Sequence, residues 1–254
     1  MITIKTVEAG RGAAWLTEGF DYFKRGIGVW IGISFIMLVF FLVLSLLPFI
    51  GGILMTMLTP VLVGGVILGC RELDQGGSLS LNHLFAGFSR NTGQLILLGL
   101  LQYVITIVIM IIAMFIVMPF TGGMTSIMHF MHGMENGATG MPVDIYLGIL
   151  LMMLIALLLY VPLLMALWFA PALIILDNRT AIDALADSFK GCMKNTVPFL
   201  IYGLVGLVLA IVASIPLMLG WLVLMPVLIA SLYLGYKDIF ENTPVESPSD
   251  EPAA

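Results

Sequence analysis

IGVWIGISFIMLVFFLVLSLLP, residues 27–48, is an apolar run without a single charged side chain, and it decides the class of fold. A helix needs about 20 consecutive apolar residues to cross the roughly 30 Å hydrocarbon core of a bilayer. The residues before the run are mixed polar and aromatic and lack the small-residue cleavage pattern of a secretory signal. We therefore expect the run to be retained as a membrane-spanning helix.

Further apolar stretches of similar length follow along the chain. Together with the first they predict six spans, at residues 27–48, 51–70, 94–118, 145–176, 197–215 and 218–236. The composition agrees, because 61% of the 254 residues are hydrophobic and only 10% are charged, whereas a soluble domain carries about 25% charged residues. The predicted fold class is an all-α integral membrane protein with six transmembrane helices.

Every lysine and arginine falls on the same side of these six spans. They are Lys5, Arg11, Lys24, Arg25, Arg71, Arg90, Arg179, Lys190, Lys194 and Lys237. Because cytoplasmic loops are enriched in Lys and Arg, we predict a multi-pass protein of the bacterial inner membrane with both termini in the cytoplasm. The net charge of −5 provides no basic patch for nucleic acid, so the predicted partners are the lipid bilayer and other membrane proteins.

The two cysteines, Cys70 and Cys192, are too few for a disulfide framework. Both fall on the side assigned to the cytoplasm, where free thiols are expected.

Three short amphipathic segments, each followed by two spans, indicate a threefold internal repeat. They read LTEGFDYFK at residues 16–24, LNHLFAGFS at 81–89 and IDALADSFK at 182–190. Each predicted repeat is an interfacial amphipathic helix plus a transmembrane hairpin, and the second repeat includes a periplasmic loop at 119–144. The repeats comprise residues 1–78, 79–178 and 179–240, and the acidic, proline-rich residues 241–254 predict a disordered tail.

The last phenylalanine of each segment, Phe23, Phe88 or Phe189, follows an aliphatic residue by seven positions. This spacing places both residues on one face of an α-helix. An apolar face with a basic end fits the headgroup layer of a membrane, and packing of that face onto the helix bundle is the alternative. Thr180 and Asp183 have a capping-box-like spacing and predict the start of the third helix.

A proline recurs in the second span of each predicted repeat, at Pro60, Pro162 and Pro226. Proline removes a backbone hydrogen bond and permits a helix kink where neighbouring groups satisfy the freed carbonyl. Such kinks serve as hinges in transporters and also occur in static bundles, so both interpretations are open.

The six predicted spans contain no Asp, Glu, Lys, Arg or His. Ion-coupled transporters and proton relays usually place such groups at mid-membrane, so both classes are disfavoured. Gln94 and Gln102 in span three are expected to form interhelical hydrogen bonds. His83 has no Ser or Cys nucleophile at a recognisable spacing, and no Walker-type phosphate loop occurs. We therefore expect no enzyme, and we assign no catalytic or cofactor-binding residue.

The predicted periplasmic loop contains MHFMHGM, residues 128–134. Spacings of three could bring the ligands of this run together on one turn of helix. Thioether and imidazole suit Cu(I), and Ag(I) is similarly soft. An apolar interfacial helix with methionines filling irregular gaps is the alternative. The candidate metal ligands are Met128, His129, Met131, His132 and Met134.

Alanine at Met128, His129, Met131 and His132 is expected to abolish Cu(I) retention by the purified protein, because both ligand types are then removed. Equal retention of Cu(I) by the wild type and this variant would rule the site out.

Residues 10–30, GRGAAWLTEGFDYFKRGIGVW, and residues 59–76, TPVLVGGVILGCRELDQG, carry a family resemblance. The chain resembles an uncharacterised family of bacterial six-helix inner-membrane proteins, a domain of unknown function, over most of its length. The resemblance implies a location and a topology, and no functional residue is transferred by it.

Three function classes follow from these patterns. We favour a non-catalytic scaffold or assembly factor for other membrane components, because the spans lack ionisable groups. The second class is a facilitator of a neutral or lipid-like solute that uses the proline-containing helices as gates. The third is Cu(I) or Ag(I) handling at the periplasmic face through the Met/His loop.

Overall fold

A computed structural model of the chain describes residues 2–121, 125, 128, 131–134 and 143–241. All regular secondary structure within these residues is helical. The elements are α1 (Arg11–Lys24), α2 (Ile27–Ser45), α3 (Ile50–Asp74), the 3-10 helix η1 (Leu81–Phe88), α4 (Thr92–Val117), the 3-10 helix η2 (Met118–Thr121), α5 (Val143–Trp168), α6 (Ala170–Asp177), α7 (Ala181–Lys194), α8 (Thr196–Ser214) and α9 (Trp221–Phe240).

Six helical stretches of the described chain are long and apolar enough to cross a membrane, which confirms the six predicted spans. Spans one, two and three are α2, α3 and α4, span four comprises α5 with α6, and spans five and six are α8 and α9. Span two runs to Asp74, beyond its predicted end, and span four is interrupted at Phe169. Cys70 and Cys192 are buried and form no disulfide, as predicted.

The described chain folds as two compact units. Unit 1 comprises Met1–Ser34 and Lys190–Ala254, and unit 2 comprises Phe35–Phe189. Helices α2 and α7 contribute residues to both units. The repeat boundaries derived from sequence similarity stay a prediction.

Unit 1 is built around the packing of α1 on α8 and α9. Gly12 permits the close approach to α8, because a Cβ added there would lie 2.0 Å from the carbonyl oxygen of Pro198. Trp15 is buried beside this contact, with its ring centroid 5.4 Å from that of Phe199 and 6.2 Å from that of Tyr202. The short amphipathic α1 is thus an integral part of the unit's core.

The residues before α1 are held by the side chain of Asn195, which is buried. The Val7 N–H donates to Asn195 Oδ1 at 2.8 Å, and Asn195 Nδ2 donates to the carbonyl oxygen of Lys5 at 3.0 Å. The Lys5 N–H donates in turn to the carbonyl oxygen of Ile239 at 2.9 Å. A side-chain amide has both a donor and an acceptor, so Asn195 pairs with this extended segment as a neighbouring strand would.

Unit 2 is built around α3, which packs against η1, α4 and α6. Its core includes several side chains with no exposed surface, contributed by these helices: Val61, Ile67, Leu95, Leu98, Leu173 and Ile174.

Candidate functional site

The 3-10 helix η1 lies alongside α3. A Cβ added at Gly65 would lie 2.4 Å from the carbonyl oxygen of His83, and one added at Gly87 would lie 2.0 Å from that of Val61. Glycines on both partners therefore allow backbone to meet backbone, as small residues do between membrane helices. The contact extends to Gly69, which faces Leu79 and His83.

Helix α1 lies alongside α9 in unit 1 in a comparable way. A Cβ added at Gly19 would lie 2.8 Å from the carbonyl oxygen of Val227. Near the other end of α1, the Trp15 indole N–H and Arg11 Nε both donate to Asp238 Oδ2 at 2.7 Å. Arg11 also forms a bidentate pair with Glu18, whose hydrogen bonds are the largest cause of the raised pKa of Arg11. The guanidinium therefore stays charged and joins both helices.

The hydroxyl of Ser188, on α7, fills the interruption in span four. The Phe169 N–H donates to Ser188 Oγ at 3.0 Å, and Ser188 Oγ donates to the carbonyl oxygen of Met165 at 2.7 Å. Residues 165 and 169 are four apart, so in an unbroken helix these two backbone groups would bond each other. A side chain inserted into this hydrogen-bond ladder, with Pro171 just beyond it, is a recognised cause of a helix break.

The contacts of η1 with α3, of α1 with α9 and of Ser188 with α5 all lie close to a proline. Pro60, Pro162 and Pro226 each lie inside a helix, namely α3, α5 and α9. The contacted carbonyl groups, those of Val61, Met165 and Val227, follow within one turn. Each short segment thus docks beside a proline-containing span, just after its proline, while the predicted kinks at these prolines stay a prediction.

Pro60 has a second neighbour, α4. Because proline has no N–H, the carbonyl of Thr56 lacks its usual helical donor. Gly99 lies against that carbonyl, since a Cβ added at Gly99 would be 2.5 Å from the oxygen of Thr56 and 2.5 Å from Cα of Met57. The glycine lets the backbone of α4 cover the freed group.

The three phenylalanines predicted to share an interfacial role have different surroundings. Phe23 is buried at 5% exposure, whereas Phe88 and Phe189 are exposed at 44% and 36%. The second segment is also a 3-10 helix rather than the α-helix that the seven-residue spacing assumed. With about three residues per turn, positions seven apart do not share a face there. Membrane contact by these residues stays a prediction.

Polar side chains connect the ends of the helices in unit 2. Gln94 Oε1 accepts the N–H of Ala181 at 2.8 Å, which confirms the predicted interhelical bond of Gln94. Asn91 Nδ2 donates to the carbonyl oxygen of Ile174 at 2.8 Å and to Asn178 Oδ1 at 2.9 Å. Sequence reasoning missed Asn91 and Ser188, because nothing near either residue in the chain indicates its distant backbone partner.

His83 has polar partners in the structure, although its sequence neighbours indicated none. Its Nε2 lies 2.8 Å from Glu72 Oε2, and its Nδ1 accepts the backbone N–H of Ser80 at 3.0 Å and lies 3.2 Å from Ser80 Oγ. Although this brings together a hydroxyl, an imidazole and a carboxylate, Ser80 and His83 form the capping box that starts η1. A capping box satisfies the first N–H groups of a helix, so the arrangement has a structural explanation.

An apolar groove of about 660 Å³ lies between α4 and α5. Leu150, Met153 and Leu157 of α5 and Met110 of α4 line it, and Tyr160 contributes to its wall. Thr106, also in the wall, donates its hydroxyl hydrogen to the carbonyl oxygen of Gln102 at 2.8 Å. The groove therefore offers an apolar surface at the middle of the two spans.

The candidate metal ligands lie partly outside the described residues. Met128, Met131 and Met134 are exposed on helical backbone, and His132 is on the same backbone, whereas His129 is outside the described part of the chain. Where the chain is described, no three His, Cys, Asp or Glu side chains come together as a metal site. Metal binding by the Met/His loop stays a prediction.

Comparison with known proteins identifies one relative. A protein of Burkholderia thailandensis described as a "probable inner membrane protein" is 30% identical over 227 residues, which cover 89% of this chain and 82% of the relative. No protein-family model and no solved structure matches the chain.

Proposed function

We propose that the chain is a non-catalytic scaffold or assembly factor for other membrane components. It belongs to the family of this inner membrane protein and is a multi-pass protein of the inner membrane. The family membership confirms the resemblance carried by residues 10–30 and 59–76.

The observation that carries the proposal is an apolar surface on two spans that the other described residues do not bury. The buried share of the most apolar stretch differs between the spans. This share is only 6% in span four and 17% in span five, whereas it is 61% in span six. Such surfaces face lipid or the helices of another membrane protein. The predicted spans contain no Asp, Glu, Lys, Arg or His that would support ion-coupled transport.

Span five offers a face suited to a partner helix. Gly203 and Gly206 lie on α8, and a Cβ added at either would meet no described atom within 4 Å. Ala210 lies one turn beyond Gly206. Because small residues on one face let membrane helices approach closely, we assign the partner contact to the face formed by Gly203, Gly206 and Ala210.

Replacement of both Gly203 and Gly206 with Leu is expected to abolish co-purification of membrane partners after crosslinking in mild detergent, because the leucines would hold a partner helix away. Leu is a better helix former than Gly by about 0.8 kcal/mol per residue, so α8 itself should not unfold. The measurement is mass spectrometry of the crosslinked material.

The matched control is Gly28→Leu, at another glycine with no described atom within 4 Å of an added Cβ. This variant should retain the partners. Recovery of the same partners with the double variant would exclude the α8 face, and the absence of any partner with the wild type would exclude the scaffold role.

Topology and repeats complete the proposal. Both termini lie in the cytoplasm, because all ten cations fall on one side of the six spans. The three short segments with their following hairpins are copies of one unit. Their docking just after Pro60, Pro162 and Pro226 supports this origin.

A facilitator of a neutral or lipid-like solute is the alternative, favoured by the groove between α4 and α5. The two functions separate in one experiment, because a facilitator transports when it is the only protein in a liposome. A scaffold does not.

A further inference from the structure

The second short segment presents two neighbouring aromatic side chains away from the protein. Because a 3-10 helix has about three residues per turn, Phe85 and Phe88 lie in one row of η1, and Leu84 and Gly87 lie in another. Leu84 and Gly87 are buried, whereas Phe85 and Phe88 are 53% and 44% exposed. The row of Phe85 and Phe88 is therefore directed to the surroundings of unit 2.

The 3-10 helix η1 packs along the apolar part of α3. Its contacts on α3 are with Val61, Gly65 and Gly69. All three lie inside residues 51–70, the stretch of span two predicted to cross the membrane. The exposed phenylalanines thus lie beside the C-terminal half of span two, where the apolar side chains of an amphipathic segment can insert among acyl chains.

Arg90 adds a positive charge to this surface. It is exposed and follows Phe88 by two residues. Arg11 and Arg179 pair with the carboxylates of Asp238 and Asp187. By contrast, Arg90 forms no hydrogen bond or ion pair with the part of the chain that the structure describes.

Unit 1 carries a similar combination of aromatic ring and cation on α1. Phe20 is exposed, and Lys24 Nζ lies 5.4 Å from its ring centroid. The Arg25 guanidinium lies 4.8 Å from the ring centroid of Tyr22. Aromatic side chains beside Lys or Arg are the composition of segments that bind membranes containing anionic lipid.

We propose that Phe85, Phe88 and Arg90 form a binding site for the headgroup of an anionic phospholipid. Phe85 and Phe88 contact the acyl chains, and the guanidinium of Arg90 pairs with the phosphate of the headgroup, whose negative charge no cationic group of the lipid offsets. An acidic protein segment is a poorer fit, because the phenylalanines lie beside the apolar stretch of span two and suit acyl chains. This site is independent of the scaffold role, since lipid binding and partner capture are measured separately.

The test is native mass spectrometry of the purified full chain with phosphatidylglycerol or phosphatidylcholine. Arg90→Gln is expected to weaken phosphatidylglycerol binding about fivefold, which corresponds to about 1 kcal/mol per cation at a membrane surface. Its phosphatidylcholine binding should be unchanged. Because Arg90 is exposed and pairs with no described residue, this variant should melt at the wild-type temperature.

Two further variants make the result decisive. Arg71→Gln removes one cation from the last turn of α3 and leaves Phe85, Phe88 and Arg90 in place, so the binding of both lipids should be unchanged. Arg90→Lys keeps the charge and should keep the preference for phosphatidylglycerol. Wild-type phosphatidylglycerol affinity in Arg90→Gln, an equal loss in Arg71→Gln, or a loss in Arg90→Lys as large as in Arg90→Gln would each overturn the proposal.

Discussion

Ser188→Ala is expected to destabilise the protein by about 2 kcal/mol, because the variant loses both hydrogen bonds of a buried hydroxyl in the break of span four. Ser188 is fully buried and bonds the N–H of Phe169 and the carbonyl of Met165. Each hydrogen bond of this kind contributes about 0.5–1.5 kcal/mol to stability. The measurement is the melting temperature of the purified variant in detergent.

Ser45→Ala is the matched control for this variant. Ser45 Oγ donates to the carbonyl oxygen of Leu42 at an exposed position, and exposed substitutions of this kind usually change stability by less than about 0.5 kcal/mol. If Ser188→Ala melts with Ser45→Ala and the wild type, the break in span four does not depend on the hydroxyl.

Gly87→Ala is expected to destabilise the packing of η1 on α3 by about 3 kcal/mol, at the upper end of the usual cost of overpacking. The added methyl group would lie 2.0 Å from the carbonyl oxygen of Val61 and 2.9 Å from its carbon. Backbone atoms inside a helix cannot rotate away as a side chain can, so η1 has to move. Thermal unfolding and the proteolysis rate at η1 both report this loss.

Gly93→Ala makes the same chemical change where space is available. A Cβ at Gly93 meets nothing within 4 Å, and Ala is favoured over Gly in a helix by up to about 1 kcal/mol. This control should therefore be neutral or slightly stabilising. Identical melting of the two variants would show that the glycine contact does not hold η1 on α3.

These predictions concern the docking of short segments, on which the functional proposals also depend. Docking of η1 through Leu84 and Gly87 leaves Phe85 and Phe88 exposed. In α1 the buried set includes Leu16 and Phe23, and Phe20 stays exposed. The side of each segment that meets the protein thus decides which aromatic side chains are available to the membrane.

Several features were predictable because they depend on neighbouring residues in the chain. The six spans follow from the length of each apolar run, and the structure confirms them. The start of α7 also follows its local sequence, since the Asp183 N–H donates to Thr180 Oγ1 at 3.2 Å and the Thr180 hydroxyl donates to Asp183 Oδ2 at 2.8 Å. A cap joins residues three apart, so distant packing cannot easily alter it.

Other features were not predictable from the same patterns. The seven-residue spacing treated Phe23, Phe88 and Phe189 alike, whereas the first is buried and the other two are exposed. Nothing near Ser188 or Asn195 in the chain indicates the backbone groups that these two side chains bond. Their hydrogen-bond partners, Met165 with Phe169 and Lys5 with Val7, lie elsewhere in the chain.

The sequence by itself therefore determined that the chain is helical, how many times it can cross a membrane, and where all its cations fall relative to those crossings. Each of these follows from the apolar and charged residues within one continuous stretch of chain, because the free energy of transferring a helix into lipid is summed over its adjacent residues. Only the tertiary structure decided which face of each short segment is buried and which backbone groups Ser188, Asn91 and Asn195 satisfy. Both depend on which distant backbone group a small residue contacts or a polar side chain bonds. The spacing of residues along the chain does not specify those partners.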